Sequence, residues 1–221
     1  PEGSAPAPLA ELPTGLLFVA NSAAVGTELW ITAGDASSTR RLAVLDATGP
    51  RQWFRNSGVL DGIAYFIVFD GTLRRLWRSD GTVAGTWRVP GFSPFALPPA
   101  PELFYGPIDG RFVYRVSDTA TGTEPWVTDG TAAGTALLLD IAPGPQGSRP
   151  EQFCRFGERM FFVADDGVRG AEPWVTDGTV TGTRLLADIA PGSFDSHPRN
   201  PVALGDRVLF VADDGTHGYE L

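Results

Sequence analysis

Four glutamates, Glu28, Glu124, Glu172 and Glu220, stand at matched places in recurring text. Carboxylates so arranged can act as acids, bases or cation ligands. If the repeats close into a circle, they form a ring of carboxylates at one level. Pairing with Arg or with backbone N–H groups is the structural reading of the same spacing, and it is preferred. Two further acidic pairs, Asp165-Asp166 and Asp213-Asp214, each precede a glycine. Two carboxylates on a turn suit calcium, which takes oxygen ligands. The text lacks both the Asp-x-Asp-x-Asp-Gly ladder with a distal Glu and the glycine-rich calcium repeat, so residues of Asx turns are the better reading. Calcium is the one cofactor these residues raise, and no other is expected.

The remaining chemistry is sparse. His197 and His217 occupy non-equivalent repeat positions, and neither has a Cys or second His at zinc-ligand spacing. The Gly-x-Ser-x-Gly elbow of serine hydrolases is absent. Gly-x-Gly-x-x-Gly is absent too, and a phosphate loop is excluded because all 17 basic residues are Arg. Cys154 is alone, so no intrachain disulfide forms; flanked by Phe153 and Phe156, it reads as a small buried hydrophobe. Paired acids for glycoside hydrolysis stay open, because two carboxylates on separate repeats leave no local motif.

The elements that must position these groups repeat. Trp30, Trp77, Trp126 and Trp174 follow one another at 47, 49 and 48 positions, and similar text surrounds each. Glu172-Pro173-Trp174-Val175-Thr176 is a short strand, and Asp177-Gly178-Thr179 turns the chain, because Asp bonds its own backbone and Gly accepts positive φ. The same turn is read at Asp80-Gly81-Thr82 and Asp129-Gly130-Thr131. Met160–Ala164 is an apolar strand ending in Asp165-Asp166-Gly167, Thr183–Ile189 a third strand, and Val202–Leu204 a fourth. Four short strands per ~48 residues, with no helical period, is the unit of an all-β propeller, in which each sheet buries its faces against its neighbours. The four tryptophans then fill the space between units. A carbohydrate-stacking platform is the functional alternative, and their identity in every unit points to packing.

Composition narrows the classes of function. With 26 acidic against 17 basic residues and a net charge of -9, the chain repels phosphate backbones and anionic lipid surfaces, so nucleic acid is not an expected partner. No apolar stretch approaches the ~18 residues of a membrane span. The 27 Gly and 19 Pro demand frequent turns.

The text divides into repeats at 16–62, 63–110, 111–158 and 159–206, with partial repeats at 1–15 and 207–221. A start without Met and a stop inside a motif give the expectation of an open arc of about four units cut from a longer protein. Repeat two departs most, with Arg75 in place of Glu and a Pro-rich run from Pro90 to Pro99; repeat one has Ala33-Gly34-Asp35 where the others have Asp-Gly-Thr.

Thr128–Thr135 with Asp140-Ile141-Ala142-Pro143-Gly144, and Thr176–Thr183 with Asp188-Ile189-Ala190-Pro191-Gly192, resemble the bacterial ELWxxDGT repeat family. The resemblance is strong in repeats three and four and weak in one and two. It implies a large exported or surface-attached bacterial protein and supplies no catalytic residue. Two classes of function follow: a non-catalytic binding, adhesion or scaffold module for a protein or carbohydrate ligand, or a propeller enzyme acting on extracellular polysaccharide. An enzyme needs charged residues unique to single repeats, whereas a scaffold shows the same residue in each. The regularity of repeats three and four favours the scaffold.

Overall fold

The computed structural model describes residues 6–22, 24–46, 58–69, 74–89 and 105–221. All regular structure among them is β, arranged as five small antiparallel sheets. Sheet one comprises β1 (Ala7–Leu12), β2 (Gly15–Ser22), β3 (Gly26–Thr32) and β4 (Arg40–Asp46). Sheet two comprises β5 (Gly58–Leu60), β6 (Ile63–Phe69), β7 (Arg74–Ser79) and β8 (Trp87–Arg88). Sheet three is β9 (Tyr105–Ile108), β10 (Arg111–Asp118), β11 (Gly122–Thr128) and β12 (Ala136–Leu137). Sheet four is β13 (Glu151–Phe156), β14 (Arg159–Asp165), β15 (Ala171–Thr176) and β16 (Arg184–Leu185). Sheet five has three strands, β17 (Arg199–Leu204), β18 (Arg207–Asp213) and β19 (Tyr219–Glu220). No helix among the described residues is long and apolar enough to cross a membrane. The Pro-rich run at 90–99 lies outside the described residues.

Each sheet is a meander in sequence order, because two-residue loops join its first two strands. At Asp61-Gly62 and Asp109-Gly110 both loop residues have positive φ, 50° and 75° in one, 46° and 69° in the other. That is the backbone of a type I′ hairpin turn, whose twist matches the strands it joins. The sheets therefore begin one strand earlier than the repeats read from the text. The strand within the partial repeat at 1–15 pairs with β2, and Val202–Leu204 pairs with β18. A second difference concerns the segment read as a strand from Thr183 to Ile189. Only Arg184–Leu185 are strand, since the N–H groups of Ile189 and Ala190 turn to a side chain instead of a ladder.

The chain divides into two compact units, residues 1–102 with 130–132, and residues 103–129 with 133–221. In the first, Leu12, Leu17, Val19 and Ile31 of sheet one pack with Ala64, Phe66 and Val68 of sheet two. In the second, Ile108, Val113 and Val127 of sheet three pack with Met160 of sheet four. There too, Phe156, Phe161, Val163 and Val175 of sheet four receive Val208 and Phe210 of sheet five. Within each unit, one face of a sheet thus meets the opposite face of the next, and sheet-on-sheet burial of alternating residues supplies the core.

Candidate functional site

The tryptophans sit at one register. Trp30 lies opposite Phe18, Trp77 opposite Phe66, Trp126 opposite Tyr114 and Trp174 opposite Phe162. The rings of Phe18 and Trp30, and of Phe162 and Trp174, stack at 6.4 Å between centroids. Trp174 is buried among Ile141, Phe162 and Ala164, while Trp30, Trp77 and Trp126 are half-buried. Trp174 lies in a buried cluster, Trp77 packs against the core of sheets one and two, and Trp30 stacks on Phe18, which accords with a packing role at these three positions.

The glutamates are interior anchors. Glu124 and Glu172 are both 0% exposed. Glu172 accepts hydrogen bonds from the N–H of Ile189 (3.0 Å), the N–H of Ala190 (3.2 Å) and the Ser196 hydroxyl (2.6 Å). Glu124 does the same one repeat earlier, taking the N–H groups of Ile141 (3.2 Å), Ala142 (3.0 Å) and Ser148 (2.8 Å) and the Ser148 hydroxyl (2.5 Å). The Asp-Ile-Ala-Pro-Gly turn cannot pair its N–H groups with a strand, so a carboxylate from the third strand satisfies them. Burial pushes Glu124 above the ordinary carboxylate range; the Ser148 hydroxyl and the loop N–H groups pull it back only in part. In sheet one, where β4 runs seven residues, Glu28 instead meets Arg41 at 2.5 Å. Arg75 occupies the matching place in repeat two, and Glu220 lies exposed on β19.

The Asp-Gly-Thr loops close on themselves. Asp177 accepts from the N–H and the hydroxyl of Thr179, and Asp80 takes the same pair from Thr82. These hydroxyls are the main cause that holds both aspartates below the usual range; burial opposes them, and the backbone N–H groups of Thr179 and Thr82 add a smaller lowering. The Thr176 and Thr183 hydroxyls meet at 2.7 Å across the loop. A side chain at Gly182 would collide with the Asp177 carboxylate, and Gly134 and Gly85 stand in the same relation to Asp129 and Asp80. Hence the loop requires its last Gly as well as its Asp. Repeat one keeps the loop without the Asp-Gly-Thr text: Thr32 and Thr39 clasp at 2.7 Å, and Asp35 accepts from Ser37 and Ser38. Carbonyls of the central glycines tie neighbouring sheets, Arg40 donating to Gly81 at 3.0 Å and Arg111 to Gly178 at 3.5 Å.

The four aspartates raised for calcium form two matched Asx turns. Asp165 accepts from the N–H of Gly167, and Asp213 from that of Gly215. Asp166 accepts from the N–H groups of Val168 and Arg169 and pairs with the Arg169 guanidinium at 2.5 Å. Burial works against its ionised form, but these donors and the guanidinium outweigh it and hold Asp166 below its ordinary value. Asp214 accepts from the N–H groups of Thr216 and His217 and meets His217 Nδ1 at 2.7 Å. That contact lowers the Asp214 carboxyl and raises the His217 imidazole. Among the described residues, no three His, Cys, Asp or Glu side chains gather at metal-binding distance. Asp165, Asp166, Gln146 and Arg149 are among the residues lining an open groove of about 440 Å³.

Sequence reasoning missed Ser148 and Ser196, partners of glutamates 24 residues earlier. The signal was their recurrence one period apart in Ser-Arg-Pro and Ser-His-Pro, where Arg149 and His197 both take positive φ, 51° and 46°. Cys154, expected to be buried, is half-exposed, and what burial it has raises its thiol.

The same arrangement occurs in solved structures. Puromycin hydrolase superposes with a TM-score of 0.51 at 16% identity over 96% of this chain and 34% of its own; a serine-to-alanine mutant of it, complexed with PGG, gives 0.52 at 17% over 93% and 32%. The fold is that of a β-propeller. Each sheet is a blade, and the chain spans about a third of the length of the puromycin hydrolase chains it matches. At such identity the likeness carries the fold alone. No family model and no curated protein matches the chain.

Proposed function

We propose that this chain is a non-catalytic binding or scaffold segment of an exported repeat protein. One observation carries the reading: the carboxylates that recur through the blades are engaged in blade architecture. Glu124 and Glu172 are buried under loop N–H groups and a serine hydroxyl, and Asp80 and Asp177 are bonded within their own loops. A general acid or nucleophile must reach a substrate, and the wholly buried Glu124 and Glu172 do not. The resemblance of Thr128–Thr135 and Thr176–Thr183 to the ELWxxDGT repeats supports an exported or surface location.

Variation lies on the exposed loops. Gln146 in one clamped turn is replaced one period later by Phe194, which is 74% exposed. Rigid blades presenting differing loop residues suit recognition of a protein or a carbohydrate. The test is direct. The purified chain is incubated with a panel of extracellular polysaccharides and probed in parallel on a glycan array. No release of reducing ends is expected. Turnover abolished by Glu124→Gln or Glu172→Gln, with the fold intact, overturns the reading in favour of a propeller enzyme.

A further inference from the structure

One cross-strand pair departs from the register that the blades share. In sheet two, Arg78 of β7 lies opposite Trp87 of β8. The equivalent pairs are Ile31 with Arg40 in sheet one, Val127 with Ala136 in sheet three and Val175 with Arg184 in sheet four. Ile31, Val127 and Val175 are all buried apolar residues. Sheet two places a half-buried arginine there instead, and beside it, on its short last strand, a tryptophan that stays 40% exposed.

The two side chains hold each other by stacking. The Arg78 guanidinium lies 4.3 Å from the centroid of the Trp87 ring, and its Nε is buried with no hydrogen-bond partner. A buried donor left unmet weakens a blade, and the aliphatic residue of the other sheets would fill the place without that loss. Departures of this kind from the rule of a fold are expected where a protein works. A guanidinium stacked on indole still offers N–H groups in its own plane to a carboxylate. It covers one face of the ring, so the exposed surface of Trp87 belongs to its edge and its other face. The local charge agrees: β7 and β8 carry four Arg and no acidic residue, whereas from first to last strand each of the other four sheets has more Asp and Glu than Arg. The negative charge of those sheets is screened beyond about 8 Å at physiological salt.

We propose that Arg78 and Trp87 bind an acidic saccharide chain at the outer edge of sheet two, the open face of the indole stacking on the C–H face of a uronic acid ring and the guanidinium donating to a carboxylate of the chain. A sugar ring joins an apolar face to a rim of polar groups, and an exposed indole beside a fixed cation matches both. The pair lies apart from the loops that carry Gln146 and Phe194, so it stands or falls independently of the reading above.

Titration calorimetry of the purified chain with oligogalacturonate and oligomannuronate, and with neutral maltohexaose for comparison, measures the affinity. At least one of the two uronates is expected to bind about tenfold more tightly than maltohexaose, with an affinity that falls as salt is added. Arg78→Val combined with Trp87→Ala gives sheet two the pair that sheet three carries in Val127 and Ala136, so the blade is expected to keep its circular dichroism and its denaturation midpoint while the uronate affinity drops about tenfold or more. Trp87→Phe retains a stacking ring and is expected to keep most of the binding. Should the double variant fail to fold, Trp87→Ala alone, at an exposed position, replaces it. A parent that binds neither uronate overturns the proposal, and so does one that binds maltohexaose equally well. A folded double variant with the affinity of the parent overturns it too, leaving the stacked pair a structural contact.

Discussion

Replacing Glu172 by Gln separates a structural carboxylate from a chemical one. The carboxylate receives three hydrogen bonds, from Ile189 N–H, Ala190 N–H and the Ser196 hydroxyl, and is wholly buried. A carboxamide of the same shape retains one acceptor oxygen and places an NH₂ group against the remaining donors. At least one charge-assisted bond is lost and a donor is left facing a donor, while the surviving bonds lose their charge. Hydrogen bonds to charged groups contribute about 1.5–3 kcal/mol each, and an unsatisfied buried donor costs about 1–3 kcal/mol. The expected loss is about 3 kcal/mol, a large share of the roughly 5–15 kcal/mol of a typical domain. Glu172→Ala, which leaves both N–H groups unmatched, is expected to lose about 4 kcal/mol, and Ser196→Ala about 1 kcal/mol. Guanidinium denaturation gives the totals. Amide exchange gives the place, since the Ile189 and Ala190 N–H groups should lose protection well before those of β14. A Gln variant within about 0.5 kcal/mol of the parent, with both amides still protected, refutes the clamp.

Other expectations follow from the same geometry. Trp174→Ala should cost about 3–5 kcal/mol by opening a cavity beside Phe162 and Ile141, and a denaturation midpoint equal to the parent's counts against packing. Gly182→Ala should cost about 1–3 kcal/mol through overpacking against Asp177. In an Asp177→Ala background that cost should shrink, so strict additivity in the double-mutant cycle contradicts the contact. The exposed pair of Asp214 and His217 should titrate visibly by NMR. The imidazole, raised by the carboxylate, lends stability below its ordinary 6.5 that fades as pH climbs through its folded value. The depressed carboxyl lends stability above 3.8 that fades as pH falls. Asp214→Asn should return the histidine to its ordinary range, and an unmoved titration shows that the contact does not form in solution.

Much of this architecture is legible in the text because it is local. Asp-Gly-Thr bonds its own backbone, the tryptophans recur at one register, and an apolar run ending in Asp-Asp-Gly is a strand reaching a turn. The phase of the sheets is local as well, but its signal is subtler. Leu60-Asp61-Gly62-Ile63 is two strands and a two-residue turn, and such a turn obliges its flanks to pair, which assigns Val59–Leu60 to the sheet that follows. The Glu clamp is the part that spacing alone does not reveal. Its hydroxyl partner lies 24 residues away, and the donors are backbone groups with no distinguishing side chain. The end of the strand read from Thr183 to Ile189 was lost for the same reason: β-propensity favours extension through Leu186, while a buried carboxylate upstream claims the N–H groups that extension needs.

That competition explains why Glu and the Asp-Ile-Ala-Pro-Gly turn travel together in repeats three and four and separate in repeat one. Where β4 stays extended for seven residues, its N–H groups stay in the ladder, and Glu28 turns to Arg41. In repeats three and four, where the fourth strand has two residues, the chain leaves the sheet early and the carboxylate receives the N–H groups so freed. The freed residues then form the loop that carries Gln146 in one repeat and Phe194 in the next. An interior carboxylate thus fixes a loop whose exposed residues can change without cost to the blade. Exchanging Phe194 for Gln should accordingly leave the denaturation midpoint unchanged while altering any ligand held by that loop; a shifted midpoint would show that the loop is part of the core it surrounds.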